Sequence, residues 1–509
     1  MTSAATRSLV SQVVLESFIA HRLWLRIRNH NPMGEWEDAI HHQRHGDPMT
    51  SLPPQPISPL DGRYREAVKG LGDSLSEAGL NKARVHVEVE WLAYLTSHSL
   101  LGGSPMGDDQ LASLREWAAN FGQPEIDALA ETEKTTQHDV KAVEYLVRDR
   151  LKEQGLGHLE ELTHVCCTSE DINNLSYALT VQQAIADVWR PKFVAVIEEI
   201  ERQSAQYREL PMMSRTHGQP ATPTTLGKEL AVFVHRLQRQ LDQIDAIEYL
   251  GKFSGATGTF AAHLAADPNA DWPTISREFV EGLGLDWNPL TTQIESHDWQ
   301  AELYSRIAHA NRILHNLATD IWSYISIGYF RQIPVAGTTG SSTMPHKVNP
   351  IRFENAEANL ELSNAILDSL AQTLVTSRWQ RDLTDSSAQR NIGVGLGHSV
   401  LALDNILRGL GQIDAAPEML AADLDSNWEV LGEAIQTVIR AEVTAGRSTI
   451  SDPYAALKEL TRGRRIGAPE LREFVQGLEI GDEAKARLLA LTPAGYTGDA
   501  AKLLEHLES

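Results

Sequence analysis

From residue 60 onward, apolar positions recur at intervals of three and four, the period of helices with one buried face. Residues 228–250 carry Leu230, Phe233, Val234, Leu237, Leu241 and Ile244 in this spacing without Pro or Gly, and Gly251 is expected to stop the helix. Pro191 opens a second run over 192–207, where Phe193, Val196, Ile197 and Ile200 align. Residues 299–328 repeat the pattern with Leu303, Ile307, Leu314, Leu317, Ile321 and Ile325, and residues 353–376 give a fourth run. These helices are about twice the globular mean in length. Their stripes must be buried against each other, which predicts a mainly α protein built around a long central helical bundle. Strand signals are few and short.

The segments between the runs are unusually rich in hydrogen-bonding side chains. They are 58–64, 135–139, 167–174, 214–223, 337–350 and 377–391. Each is short enough to be a connection, and chemistry on a helical scaffold is carried in such places. Residues 392–397, Ile-Gly-Val-Gly-Leu-Gly, have the wrong spacing for a dinucleotide loop, and close helix packing explains them better.

Composition narrows the function. Of 509 residues, 42% are hydrophobic and 22% charged, an ordinary globular balance. The net charge of −23 argues against a nucleic-acid or acidic-lipid partner; an anionic small molecule would need a local cluster of Arg, Lys and amides. The two cysteines, Cys166 and Cys167, are adjacent and make no disulfide framework. With His164 they lack a second Cys pair or a His-x-x-x-His partner, so no metal site is expected. No apolar run reaches membrane-span length. Phosphate-loop, zinc-protease and serine-hydrolase signatures are absent from the sequence. Residues 8–28 read as a basic amphipathic helix, loosely like a transit peptide, and 29–50 as a His-rich stretch without periodicity. Residues 1–48 are expected to be an appendage outside the fold.

The most informative stretch is Gly340-Ser-Ser-Thr-Met-Pro-His-Lys-Val-Asn-Pro350. It offers two hydroxyls (Ser341, Ser342), a cation (Lys347) and an amide (Asn349), which suit a carboxylate whose neighbouring carbon is being deprotonated. Gly337 and Gly340 would let the loop close and expel water. By residue type alone, a polar surface turn explains the segment equally well. As an ordered string it resembles the shared loop of the fumarase/aspartase superfamily, G-S-S-x-M-P-x-K-x-N-P. His346 points to the branches that contain adenylosuccinate lyases and carboxymuconate cycloisomerases. Ser58-Pro-Leu-Asp-Gly-Arg-Tyr64, Thr168-Ser-Glu-Asp-Ile-Asn-Asn174, Ser214-Arg-Thr-His-Gly-Gln-Pro-Ala-Thr-Pro223 and Arg378-Trp-Gln-Arg-Asp-Leu-Thr-Asp-Ser386 together resemble the adenylosuccinate lyase family in its long bacterial form, from about residue 55 to the C-terminus.

The resemblance implies a three-domain fumarase/aspartase-type fold, here 49–157, 158–411 and 412–509, and the β-elimination of fumarate from a C–N bond of adenylosuccinate and of the succinyl-carboxamide ribotide SAICAR, without a cofactor or metal. It implies Ser341 as general base and His217 as general acid. Lys347 and Asn349, with Ser342 beside them, would hold one succinyl carboxylate, and Thr168 and Ser169 the other. Thr168 and Ser169 also suit a helix N-cap before Ile172, and both roles can hold together. Gln293 matches a contact to the substrate amide or base. Arg63, Tyr64, Arg381, Ser386 and Arg390 match phosphate contacts, the last three spaced to share a turn entering a helix. Gln137, His138 and Asp139 match a substrate-binding segment in which Asn commonly stands where Gln137 is; His138 matches a second family histidine at the substrate, in a binding or an assisting role, touching the phosphate or orienting His217. Glu354 is placed to assist, paired with Lys347 or His217; an ordinary first-turn helix acid is the plainer reading. The resemblance further implies a cytoplasmic homotetramer whose sites are shared between subunits, His217 and Ser341 coming from different chains. Lactonisation of carboxymuconate, a non-catalytic structural relative and a plain helical scaffold are the competing readings. The first would not need the arginine set, the second would not need to keep Ser341, His217, Lys347 and Asn349 together, and the third has no use for these loops.

Overall fold

The computed structural model describes residues 56–334, 344, 347–452, 454–455 and 466–507. The expectations for residues 1–48 and for Ser341, Ser342 and His346 therefore lie outside the described residues. The helices that carry the site are α1 (Glu77–Ser97), α2 (Asp139–Glu153), α3 (Ser169–Ala184), α4 (Arg190–Gln206), α5 (Leu226–Asp245), α6 (Asp298–Ser326), α7 (Ile351–Leu374), α8 (Thr384–Gln389) and α9 (Ile392–Leu410). Strands among the described residues are two or three residues long and pair only in twos: β1 (Pro211–Met212) with β4 (Thr224–Thr225), β2 (Arg215–Thr216) with β3 (Gln219–Pro220), β5 (Leu250–Gly251) with β6 (Asp286–Trp287), and β7 (Phe330–Gln332) with β8 (Ile413–Ala415). The mainly α expectation holds.

Helices α4, α5, α6, α7 and α9 pack in a closed ring, each against the next. The residues that set the period in the sequence are those buried between them, including Leu230, Phe233, Val234, Leu237, Leu303, Ile307, Leu314, Leu317 and Ile321. Each such side chain contributes about 1.5–3 kcal/mol on leaving water. A polar knot crosses the middle of the ring. The Trp189 indole donates to Ser399 Oγ at 2.8 Å, Ser399 donates to Asn311 Oδ1 at 2.9 Å, and the Asn311 amide donates to Ser363 Oγ at 3.1 Å. Buried donors and acceptors must meet, so the knot fixes the axial register of α6, α7 and α9. The glycines of 392–397 serve packing, as expected: a Cβ on Gly395 would lie 3.0 Å from Leu367, and one on Gly397 2.9 Å from Leu60.

One boundary differs from the periodicity. Helix α5 ends at Asp245, five residues before the apolar run does. Arg190 grips Asp245 through two hydrogen bonds of 2.8 and 2.7 Å, and the chain then extends into β5 beside β6. Gly251 is therefore not a helix stop. It lies in a strand where a Cβ would sit 2.5 Å from Leu175 Cδ2.

A second apolar cluster joins the outer face of α1 to α2 and the helices Asp108–Ala119 and Gln123–Thr136; a third gathers Trp428, Leu431, Ile435, Leu471, Val475 and Leu488. Ile413, Ala415, Leu420 and Leu424 belong to the main cluster. No described helix is long and apolar enough to cross a membrane.

Candidate active site

Helix direction sorts the site residues into two groups. At one end of the ring, α6 begins, α7 ends, and α8 and α9 follow. Here Arg381 donates to Gln293 Oε1 at 3.4 Å and pairs with buried Glu170 at 2.8 Å. Glu170 also accepts from Asn173, whose carbonyl accepts from Arg84 Nε at 2.9 Å. Arg84 pairs with Asp139 at 2.9 Å, and Asp139 accepts from Arg390 at 3.1 Å. One continuous chain of charge-assisted bonds thus runs from Gln293 to Arg390 and unites four expected residues. Burial raises the Asp139 carboxyl, but Arg84, the Val140 amide and Arg390 together outweigh it and hold the group below the usual carboxylate range.

Thr168 is the N-cap of α3, as expected, and Ser169 its first residue. The first turn also carries two acids, Glu170 and Asp171, which on their own would repel an incoming carboxylate. Both are compensated. Glu170 has Arg381, and Asp171 forms a fully buried pair with Lys252 at 2.9 Å. Asp171 further accepts from the backbone N–H groups of Thr168 (2.8 Å), Ser254 (2.9 Å) and Gly255 (3.1 Å). The α3 N-terminus therefore keeps its helix-dipole preference for an anion. The same loop holds Gln293, whose Nε2 donates to Ala256 O at 2.8 Å. Ser386 sits in α8 between the two arginines, half-buried, with its N–H donating to Asp385 at 2.7 Å. The two arginines do not converge as their spacing suggests. Arg381 turns towards Glu170, and Arg390 towards Glu77 and Asp139, because those acids lie on different helices.

His138 caps α2, its Nδ1 accepting from Lys141 N at 3.3 Å, and its ring is exposed. Gln137 precedes it with φ of 51°. Asn tolerates this left-handed region better than Gln, so the departure from the family pattern falls where it costs backbone strain.

At the other end of the ring, α4 and α9 end while α5 and α7 begin. Gln203 donates to Leu410 O at 2.9 Å, Ser204 to Gly227 O at 2.8 Å, and Arg352 to Asn405 at 3.1 Å. His217 and Gly218, both at positive φ (52° and 74°), form the two-residue turn between β2 and β3. Such a turn presents its tip outward. The hairpin is anchored by Arg215, 2.5 Å from Asp423. Lys347 and Asn349 lead into α7 here, with Lys347 exposed and its N–H donating to Met344 O at 3.0 Å. Gln332 donates to Val348 O at 2.5 Å. Neither the His217 ring nor the Lys347 ammonium hydrogen-bonds to the described residues. Glu354 pairs with neither; it accepts from the Trp322 indole at 3.1 Å, because the first turn of α7 faces the last turn of α6. Tyr64 lies at this level too, its hydroxyl accepting from Asn355 at 3.3 Å with the Arg63 guanidinium over its ring at 5.9 Å.

Sequence reasoning missed Arg84, Glu170, Asn173, Lys252 and Asn355. Glu170 and Asn173 stand inside the motif quoted for Thr168, so a search for partners of Arg381 could have started there. Arg84 and Lys252 carry no local signal. His164, read with the cysteines, bonds to Glu88 at 2.6 Å, and among the described residues no His/Cys/Asp/Glu cluster is suited to a metal.

Residues 62–364 match a family model described as "Lyase", and residues 377–497 one described as "Adenylosuccinate lyase C-terminal". The chain is 47% identical to the adenylosuccinate lyase of Escherichia coli K12 over 454 residues, 89% of this chain and 98% of that protein. It is 48% identical to that of Haemophilus influenzae over 453 residues, with the same coverage, and 45% identical to that of Legionella pneumophila strain Corby over 459 residues, 90% and 99%. Among solved structures, a fumarate lyase from Mesorhizobium sp. BNC1 superposes with a TM-score of 0.68 at 19% identity, covering 86% of this chain and 97% of that one. A 3-carboxy-cis,cis-muconate lactonizing enzyme from Pseudomonas putida gives 0.66 at 20%, covering 86% and 96%. At such identities the structures support the fold alone.

Proposed function

Because the chain belongs to the adenylosuccinate lyase family, we propose that it eliminates fumarate from adenylosuccinate to give AMP and, by the same steps, from SAICAR to give AICAR. The observation that carries this reading is the 45–48% identity to adenylosuccinate lyases along nearly their whole length. In this reading Ser341 removes the proton next to the succinyl carboxylate. The electron pair forms the C=C bond of fumarate as the C–N bond breaks, and His217 protonates the departing nitrogen. Lys347 and Asn349, with Ser342, hold the carboxylate that gains charge; Thr168 and Ser169 take the other at the α3 N-terminus. Serine is a weak base, so Ser341 needs activation when its loop closes, and Lys347 is the nearby cation in the sequence. Gln293 contacts the base or amide, and Arg63, Tyr64, Arg381, Ser386 and Arg390 the phosphate, with Gln137, His138 and Asp139 lining the site. No cofactor is required for this chemistry.

The two groups of residues stand at opposite ends of α7, whose 24 residues span about 36 Å. One substrate cannot reach both ends of one chain. We therefore propose a homotetramer whose sites combine segments of different subunits, working in the cytoplasm. The test is direct: purified protein with adenylosuccinate, and separately with SAICAR, should release fumarate with the matching change in nucleotide absorbance. Absence of fumarate with both substrates would refute the reading.

A further inference from the structure

Trp379 is 92% exposed, and its φ of 55° is in the left-handed region that bulky residues avoid. Strain of this kind persists where the surroundings over-determine it, and it clusters at ligand clamps. The loop around it is tightly built. Asp382 accepts from the Arg378 N–H at 3.2 Å, the Arg378 guanidinium at 3.0 Å and the Thr384 N–H at 2.8 Å, and its own N–H donates to Ser377 Oγ at 3.0 Å. Thr292 Oγ1 donates to Gln380 O at 3.0 Å, fixing the loop beside Gln293, while Arg381 reaches Gln293 from the next residue. Trp379 is thus held outward on a loop that Thr292 and Arg381 tie to the Gln293 segment. It borders a groove of about 400 Å³ whose walls include Leu290, Thr292 and Val375.

The network supplies cations, amides and hydroxyls. Apart from His138, which caps α2, the expected contacts at this end include no aromatic ring, and the guanidinium planes of Arg381 and Arg390 are taken up by Glu170, Glu77 and Asp139, yet both substrates carry a heteroaromatic ring. We propose that Trp379 is a further substrate-binding residue whose indole stacks on the purine or imidazole ring of the nucleotide. This rests on the proposed function and adds a contact to it. Stacking tolerates either ring because both present a π face, which suits one site acting on two bases.

The experiment compares wild type, Trp379→Ala and Trp379→Phe with both substrates, alongside native mass and quenching of tryptophan emission by AMP. Loss of the face should raise KM roughly tenfold in Trp379→Ala for both substrates, with a smaller fall in kcat, and Phe should restore most of the loss. AMP should quench wild type more than Trp379→Phe, which keeps the stacking but loses the reporter. Unchanged KM in Trp379→Ala, or equal quenching in wild type and Trp379→Phe, would overturn the proposal. A fall in native mass in Trp379→Ala would overturn it in favour of a subunit contact. Wild type without turnover would instead refute the underlying function.

Discussion

The two ends of the helical ring solve the same problem in opposite ways. Where α7 ends, the site side chains are wired to one another: Gln293, Arg381, Glu170, Asn173, Arg84, Asp139 and Arg390 form one bonded chain, anchored below by the Asp171–Lys252 pair. Where α7 begins, His217 and Lys347 stand exposed and make no hydrogen bond to the described residues. In the proposed reading this difference sets the phosphate and base contacts at one end against the proton-transferring His217 at the other. A wired network holds a fixed shape for anions and rings. A group that must change protonation in each turnover gains from being free of fixed partners until substrate arrives.

The largest effect is expected from removing the His217 imidazole. His217→Ala should lower kcat roughly 10²–10⁴-fold, the usual contribution of a general acid, with a much smaller change in the Kd for AMP measured by calorimetry. The reverse pattern, weak binding with kcat retained, would move His217 into the binding network.

The next experiment tests whether the ends meet across subunits. His217→Ala and Arg381→Ala each damage one end. Mixed under conditions of subunit exchange, they should regain about a quarter of wild-type activity, the share of sites that draw an intact residue from each chain. Hybrids confirmed by mass with activity at background would mean that His217 and Arg381 do not meet across subunits in the way proposed. For His217 and Ser341, expected from different chains, helix length gives no separation: the hairpin and the α7 start share one end of the ring. Only the analogous mixing experiment with Ser341→Ala decides that pair.

Legibility in the sequence divides along the same line. The His217 hairpin and the approach to α7 are local, so a string of neighbouring residues announces them. The wired end is long-range: Arg390 and Glu77 are 313 positions apart, and no window of sequence holds both. The arginines were therefore readable as cations, while their acid partners were not. The bundle was readable because helical period and burial report the same stripe. The α5 end was not, since β5 pairs with a strand that folds back from residue 286. Gly251 looked like a stop because glycine marks both helix ends and close backbone packing.

A third prediction concerns the foundation of the wired end. Lys252→Met leaves the Asp171 carboxylate buried with only backbone donors, and breaking a buried pair from one side costs about 3 kcal/mol or more. Thermal and urea unfolding should show that loss, and Asp171→Asn in the same chain should return part of it because no lone buried charge remains. Since Asp171 ties Thr168 to the loop holding Gln293, the surviving folded enzyme should show a raised KM more than a lowered kcat. A variant as stable as wild type would detach the pair from the comparison altogether.

The smallest effect sharpens the picture through pH. His263 is 1% exposed, neither ring nitrogen has a partner, and the rings of Phe253, Phe260 and Trp272 surround it at 6.4, 5.4 and 5.0 Å. It lies against Gly255 of the same loop. Burial lowers its pKa to about 4; Asp171 pulls the other way and Lys252 adds to the lowering. The sign follows from proton uptake. Between pH 6.5 and 4 the unfolded chain binds a proton at this imidazole and the folded chain does not, so stability falls as pH drops through that window and levels off below it. From pH 6.5 to 5 the loss is about 2 kcal/mol. His263→Phe keeps a ring in the aromatic box and forfeits no hydrogen bond, so at pH 7 it should change stability little, while at pH 5 it should unfold at a higher temperature than wild type. Because the His263 ring lies under the loop that holds Gln293, KM of wild type is expected to rise on acidification, and by less in the variant. A variant whose stability falls with pH as steeply as wild type would show that the buried imidazole is not the group that loosens this end.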